Sequence, residues 1–379
     1  MSAPPCLTPD QVAAYEAVTG LDIASIGLPP SPASLQALVT AHTDAFAWGD
    51  LSNWIAGEEP TISHDVIFDK LVRLRRDGWC LEQNSLMHRV LVTIGVQCWM
   101  VRARVNVRHH KPLPGSELVW GDRDSHVALI VDAGPEHGVW LLDAGFGTVI
   151  TAPVALGSLL GRLVVGHLEA GGTDWDDALG QVEPVRAAVR PASAYASPGS
   201  ALAGLDNGSA LGPLTAGDAA TYAVAIGAYA GVGSADADDA SDAVGMALLV
   251  VADDASSDDP SLVPGYVFRP IPVELGEFAD LNQWLMTESI FSRMLVVRQR
   301  RSTDPGIEHT VKVSTDGQAV VVITANSKSP GRAHDVETVV REAGDGDDKA
   351  SFVVSALTDI FGMTDLIPAA LILPCEASK

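Results

Sequence analysis

Cys80, His126 and Asp143 are the residues of this chain best suited to covalent chemistry. Cys80 follows the Asp77-Gly78 turn inside RRDGWCLEQN, residues 75–84, and opens a segment of helical period. His126 begins the strand-like run HVALIV, and Asp143 lies in WLLDAGFG, residues 140–147. A cysteine attacks as its thiolate and needs help to ionise near neutral pH. The N-terminus of a helix favours negative charge. A neighbouring imidazole takes the proton, and a carboxylate fixes that imidazole's tautomer and stabilises its charge. Each residue alone has a plainer reading. A helical cysteine is commonly a small core side chain, His126 competes with nine other histidines, and Asp143 can cap the Gly-Phe-Gly turn. The three together, each at the edge of an ordered element, point to a cysteine nucleophile with its base and orienter, and so to acyl transfer.

The elements that must position them follow from periodicity. The first 95 residues read mostly as helix. Thr8-Pro9 starts one as N-cap and first-turn proline. Others are expected over 31–46, over about 62–75, and over 80–93, the last opening at Cys80. From Val96 the period changes to two. Residues 96–107, 125–131 and 139–143 read as strands of an antiparallel sheet or barrel. Residues from about 161 to 259 are rich in Ala, Gly, Ser and Asp and read as an acidic insertion, in which 221–226 and 246–251 have strand character. Order resumes at Tyr266. A short helix and a strand are expected within 281–301, a hairpin around Asp316-Gly317, and a helix over 350–361. This divides the chain into a helical part at 1–95 carrying the nucleophile, a β part at 96–265 with the insertion, and an α/β part at 266–379.

Composition sets the outer bounds. The 379 residues are 47% apolar, enough for large cores, and the net charge of −24 argues against nucleic-acid binding and against attraction to anionic membranes. Against that background, residues 70–111 hold nine Lys or Arg and two acids. Such a cluster either attracts an anionic substrate or is solvated and internally paired. The four cysteines show no zinc-ligand or CxxC spacing, so no metal site and no disulfide framework are expected. The N-terminus has no signal-peptide pattern and no apolar run is long enough to span a bilayer. These features lead to the expectation of a reduced, cytoplasmic protein.

The residues around Cys80 resemble the hallmark of the arylamine N-acetyltransferases, Arg-Gly-Gly-x-Cys-x-Glu-x-Asn. Here it reads Arg76-Asp77-Gly78-Trp79-Cys80-Leu81-Glu82-Gln83-Asn84. The histidine opening HVALIVD and the aspartate of DAGFG are similar to that family's strand and turn. LVTAHTDAFAWGDL, residues 38–51, resembles its L-x-x-x-H-x-x-x-x-P-F-E-N-L, and Asp69-Lys70-Leu71-Val72 its D-K-L-V. Weaker likenesses lie at Pro153-Val154-Ala155-Leu156 and in residues 278–291, with Asn282 and Ser289.

The resemblance implies an α/β multi-domain fold: an N-terminal helical bundle, a central antiparallel β-barrel and a C-terminal α/β lid. It implies ping-pong transfer of acetyl from acetyl-CoA, through a Cys80 thioester, to an arylamine, hydrazine or arylhydroxylamine, the chemistry of xenobiotic metabolism. Acetyl-CoA would be a co-substrate, with no permanently bound cofactor. Gly145, Phe146, Gly147 and Thr148 would form the turn that approaches CoA, with Phe146 lining the acceptor pocket. Arg76 and Glu82 would pair to hold the nucleophile loop. Three features depart from the family pattern. Asp77 replaces glycine, the P-F-E-N segment has become Ala45-Phe46-Ala47-Trp48-Gly49-Asp50, and the insertion precedes the lid. Other readings of the same residues are a malonyl-CoA-dependent transferase or amide synthase of the family, a Cys-His-Asp hydrolase or transglutaminase-like enzyme, and an inactive scaffold.

Overall fold

The structure is a computed structural model, and it describes residues 6–55, 62–107, 119–147, 152–156, 158–171, 175, 190–191, 222–229, 243–251, 262–303, 307–313, 320–326, 337–342, 348–363, 366–367 and 371. Four helices come first: α1 (Pro9–Thr19), α2 (Pro32–Ala45), α3 (His64–Phe68) and α4 (Cys80–Thr93). Helix α1 starts where expected. Thr8 Oγ1 accepts from Gln11 N–H at 3.3 Å, the Gln11 side chain accepts from Thr8 N–H at 3.0 Å, and Gly20 at φ 70° closes the C-terminus. The segment expected as one helix over about 62–75 is α3 followed by a wide π-helical turn, Asp69–Arg73. That turn points Lys70 inward, against α4.

The strands are β1 (Trp48–Gly49), β2 (Gln97–Val105), β3 (His126–Asp132), β4 (Val139–Leu142), β5 (Val154–Ala155), β6 (Arg190–Pro191), β7 (Tyr222–Tyr229), β8 (Ala243–Val251), β9 (Leu262–Val273), β10 (Leu295–Arg300), β11 (Ile307–Val313), β12 (Val320–Asn326) and β13 (Glu337–Glu342). Four further helices are α5 (Gly134–His137), α6 (Ser158–Glu169), α7 (Ala279–Thr287) and α8 (Lys349–Phe361). Two sheets result, ordered β5-β4-β3-β2-β9-β8-β7-β6 and β1-β10-β11-β12-β13.

Strand β3 lies deep in the larger sheet and is apolar on both faces. Val127, Leu129 and Val131 pack on the helical layer with Met87, Val90 and Leu91 of α4. Ala128 and Ile130 face the opposite core with Tyr266, Phe268 and the α6 residues Val164 and Leu168. The strand period of two thus sends alternate residues into two cores. The smaller sheet builds a third core with α8, through Val297, Val311, Val353 and Leu357.

The expected β-barrel is corrected here to an open sheet. The larger sheet curls until β5 lies near β7, but no hydrogen-bonded ladder joins its two edges among the described residues. Period-two alternation is common to open and closed sheets, so it does not fix closure. Strands β7 and β8, from the acidic stretch, extend the sheet beyond β9. Strand β9 also runs across the expected boundary at 265/266, because it pairs with β2 and β8 and so belongs to the larger sheet. The hairpin of β11 and β12 is present, and its Asp316-Gly317 turn lies outside the described residues. No helix of the described residues is long and apolar enough to cross a membrane.

Candidate active site

Cys80 is the first residue of α4, and its buried side chain packs at the junction of helix, sheet and loop. The loop before it is fixed from three sides. Arg76 N–H donates to Lys70 O, Gly78 N–H to Ala47 O, and Gly49 N–H to Gly78 O. Arg75 alone among the described non-glycine residues has positive φ, at 54°. The Gln83 amide reaches back from the first turn of α4 to Ala47 O at 2.7 Å and Gly78 O at 3.2 Å. Its oxygen meets His42 Nε2 at 3.0 Å. Burial lowers His42 to about 4, against the Gln83 hydrogen bond, so this histidine is a neutral structural link.

Beneath Cys80 lies a buried His126–Asp143 pair. His126 Nε2 and Asp143 Oδ2 are 2.6 Å apart. This leaves Nδ1 of the imidazole for the thiol. Burial opposes charge on His126, but the Asp143 charge and the hydrogen bond to Asp143, with Cys80 adding to them, outweigh it and push the imidazole up to about 10. The imidazolium is therefore the resting form at neutral pH, and a cation beside the sulfur favours the thiolate. The other carboxylate oxygen, Oδ1, accepts from Asn84 Nδ2 at 2.9 Å and from Gly145 N–H at 2.8 Å. Asn84 also donates to Val127 O at 2.7 Å and accepts from Ala144 N–H at 2.9 Å. One amide side chain of the nucleophile helix thereby locks the strand bearing His126 to the turn bearing Asp143.

The glycine at 145 is required by space. A Cβ there would lie 2.6 Å from Cys80 Cα and 2.8 Å from Asn84 Nδ2. Phe146 is buried, with its ring 5.0 Å from that of His126. Gly147 takes φ 61°, and Thr148 lies outside the described residues. Tyr266 is a site residue to which the sequence analysis gave no role. Its ring stacks 4.9 Å from His126, and burial, then the Asp143 charge, push its phenol well above the usual range. The link is a matter of register. Ala103 of β2 lies opposite His126 on one side and Phe268 on the other, two residues from Tyr266. No local signal announces such a pairing across the insertion.

Glu82 is held by Lys70 and by the backbone. Its carboxylate accepts from Lys70 Nζ at 2.9 and 2.8 Å and from Trp79 N–H at 3.2 Å. Lys70 is presented to Glu82 by the π-helical turn. Most of the basic cluster is likewise paired internally. Arg104 bonds Asp124 at 2.9 Å, Arg89 lies 3.3 Å from Asp65, and Arg102 donates to Glu277 O. Arg108 and Lys111 lie outside the described residues.

Asp77 is fully buried in an ordinary backbone conformation, so the strain in this loop belongs to Arg75. Asp77 Oδ2 accepts from Leu51 N–H at 2.9 Å, while Oδ1 has no hydrogen-bond partner among the described residues. A Cβ on Gly49 would collide with Oδ2. Set against L-x-x-x-H-x-x-x-x-P-F-E-N-L, position 49 is where the pattern has Glu, and position 77 is where the hallmark has Gly. Acid and glycine have exchanged places across one contact. Burial pushes Asp77 up to about 6, against Lys70 and the Leu51 N–H. Its neighbour Asp50 is raised further by burial, with Asp77 adding to it.

The folded state thus holds the Asp77 proton more tightly than the unfolded chain between the usual 3.8 and about 6. This group's stabilising contribution is full below that window and is lost as pH rises through it. Asp77→Asn keeps the acceptor for Leu51 and removes the charge. It should stabilise the chain by ~2–3 kcal/mol above the window and leave it nearly unchanged below. Urea midpoints across pH would show the gap opening, and a pH-independent gap would contradict the assignment.

Trp48, Trp79, Cys80, His126, Phe146 and Phe291 are among the residues lining a cavity of about 690 Å³. Its walls are mainly apolar, and Cys80 forms part of them. Such a cavity suits a flat aromatic substrate. Among the described residues no cluster of His, Cys, Asp and Glu has the arrangement of a metal site.

Residues 33–160 match a family model described as N-acetyltransferase. The arylamine N-acetyltransferase / N-hydroxyarylamine O-acetyltransferase of Salmonella typhimurium is 32% identical over 128 residues, 34% of this chain and 42% of that protein. The arylamine N-acetyltransferase of Mycobacterium tuberculosis is 33% identical over 125 residues, 32% of this chain and 41% of that protein. The chain thus matches about two-fifths of the length of these curated relatives. Solved structures extend the likeness in fold. The Salmonella typhimurium arylamine N-acetyltransferase superposes with a TM-score of 0.58 at 17% identity, covering 98% of each chain. The Mycobacterium marinum enzyme, solved in complex with CoA, gives 0.53 at 18% identity, covering 93% of this chain and 92% of that one. Over residues 33–160 the chain is thus similar in sequence to the arylamine N-acetyltransferases, and over nearly its whole length it shares their fold.

Proposed function

We propose that this protein is an acetyl-CoA-dependent N-acetyltransferase working by ping-pong acyl transfer through a Cys80 thioester. The observation that carries the reading is the buried His126–Asp143 hydrogen bond of 2.6 Å at the base of an aromatic-lined cavity that contains Cys80. In the first half-reaction the Cys80 thiolate attacks the thioester carbonyl of acetyl-CoA. The tetrahedral adduct collapses, expels CoA thiolate, and leaves acetyl on sulfur. The imidazolium of His126 protonates the leaving sulfur and becomes a neutral base. In the second half-reaction the amine attacks the Cys80 thioester, His126 takes the amine proton, and Cys80 leaves as thiolate with the imidazolium restored. Asp143 keeps the imidazole oriented throughout.

Acceptors of this reading are arylamines, hydrazines and arylhydroxylamines, held between aromatic walls. The name of the Salmonella relative, covering N-acetylation and O-acetylation, supports that class. The Mycobacterium marinum complex supports CoA as the donor's carrier. Gly145, Phe146, Gly147 and Thr148 are proposed as the turn that meets CoA, because a glycine-bearing turn lets backbone N–H groups approach phosphate. A reducing, cytosolic location is proposed, since it keeps Cys80 a free thiol.

Discharge tests the proposal. Protein acylated with acetyl-CoA and freed of excess donor should, on addition of an aromatic amine, yield one acetylated amine per acyl-enzyme. Release of free acetate alone, with no amide formed, would assign the site to hydrolysis instead.

A further inference from the structure

We propose that Arg298 is a carboxylate-binding group of this cavity, and that the enzyme takes a substrate with a free carboxylate on its acyl group or on its aromatic acceptor. The inference rests on the acyl-transfer reading and deepens it. The lining includes four of the chain's eight tryptophans, Trp48, Trp79, Trp120 and Trp284. Three ionisable side chains other than Cys80 and His126 line it. Asp122 and Glu288 are exposed, whereas Arg298 is half-buried.

Arg298 differs from the other arginines around it. Arg300 pairs with Glu308 at 3.2 Å, and Arg301 bonds Gln299 and Ile360 O. The Arg298 guanidinium has no hydrogen bond or ion pair among the described residues, and its Nε is buried without an acceptor. A guanidinium offers five donors in a planar fork that matches a carboxylate. Half-buried in the wall of this cavity, it has no acceptor among the described residues for the fork.

Its place in the fold points that fork toward the chemistry. Trp48 is the register partner of Arg298 on one side and bridges Gly78 on the other. Three backbones therefore lie side by side, and neighbours at strand spacing put the Arg298 and Gly78 backbones about 10 Å apart. Gly78 is two residues before Cys80. A carboxylate gripped by Arg298 would thus lie within one small-molecule length of the nucleophile. Two sources fit that geometry: the free carboxylate of a dicarboxylic acyl thioester such as malonyl-CoA, or a carboxylate on the acceptor ring.

The test compares wild type with Arg298→Met and Arg298→Lys. Two preferences are measured as ratios of kcat/KM: malonyl-CoA over acetyl-CoA in acylating Cys80, and p-aminobenzoate over aniline in discharging acetyl-enzyme. At least one ratio should fall tenfold or more in Arg298→Met and recover in part in Arg298→Lys, and the ratio that falls identifies the source. Unchanged ratios would overturn the proposal. So would an equal loss for all four substrates, which would mark a contact to CoA phosphate or a folding defect. Binding provides a readout independent of turnover. Malonate or p-aminobenzoate should perturb the tryptophan fluorescence of Cys80→Ala protein more weakly when Arg298 is also Met, with aniline as the neutral control. Failure of every thioester to acylate Cys80 would sink the acyl-transfer reading, while the titration would still decide on Arg298.

Discussion

Asp143→Asn is expected to slow acyl transfer by ~10³–10⁴-fold without unfolding the chain. An asparagine oxygen can replace Oδ1 and still accept from Gly145 N–H and Asn84 Nδ2, so the turn stays closed. The amide nitrogen then faces His126 Nε2, where Oδ2 now accepts. Two donors cannot share that contact. The imidazole must turn its lone pair to the amide and carry its proton on Nδ1, the nitrogen left for Cys80. In that tautomer His126 cannot take a proton from the thiol. The loss of the carboxylate also removes what holds His126 up at about 10 against burial. The pH dependence of acylation should move with it. In wild type, His126 loses its proton as pH rises through about 10, and in Asp143→Asn this limb should shift to lower pH. Single-turnover acylation across pH checks both parts, and a variant acylating within tenfold of wild type would break the triad assignment.

The second large effect concerns stability. Lys70→Met should destabilise the chain by ~3–5 kcal/mol, because it strands the Glu82 carboxylate. That carboxylate is buried, and Lys70 bonds both of its oxygens. Adding Glu82→Gln removes the stranded charge while keeping an acceptor for Trp79 N–H, so the double variant should regain most of the loss. Urea unfolding of the four-member cycle measures this. A loss under ~1 kcal/mol in Lys70→Met would mean that the pair is solvated rather than buried.

The legible parts of this site were the local ones. Cys80 at the start of α4 was readable because a turn and the onset of a helical period lie within a few residues of it. The strands near His126 and Asp143 were readable as short apolar runs rich in β-branched residues, since β3 and β4 bury successive side chains in two different cores. What local pattern did not carry was register. Tyr266 comes beside His126 through β9, across the whole acidic stretch. Lys70 reaches Glu82 from a π-helical turn, where plain helical period was expected. Asp77 read as a flaw in isolation. It makes sense only against Gly49, whose missing side chain leaves it room. Closure of the larger sheet was equally out of reach, because the strands that extend it lie in the stretch that composition marks as insertion.

The central claim is that Cys80 carries the acyl group. Intact mass of the folded protein after mixing with acetyl-CoA alone tests it most directly. The account predicts one added acetyl group on wild type, none on Cys80→Ala, and its loss when an aromatic amine is supplied. No adduct on folded wild-type protein with any acyl-CoA, or the same adduct on Cys80→Ala, would contradict it.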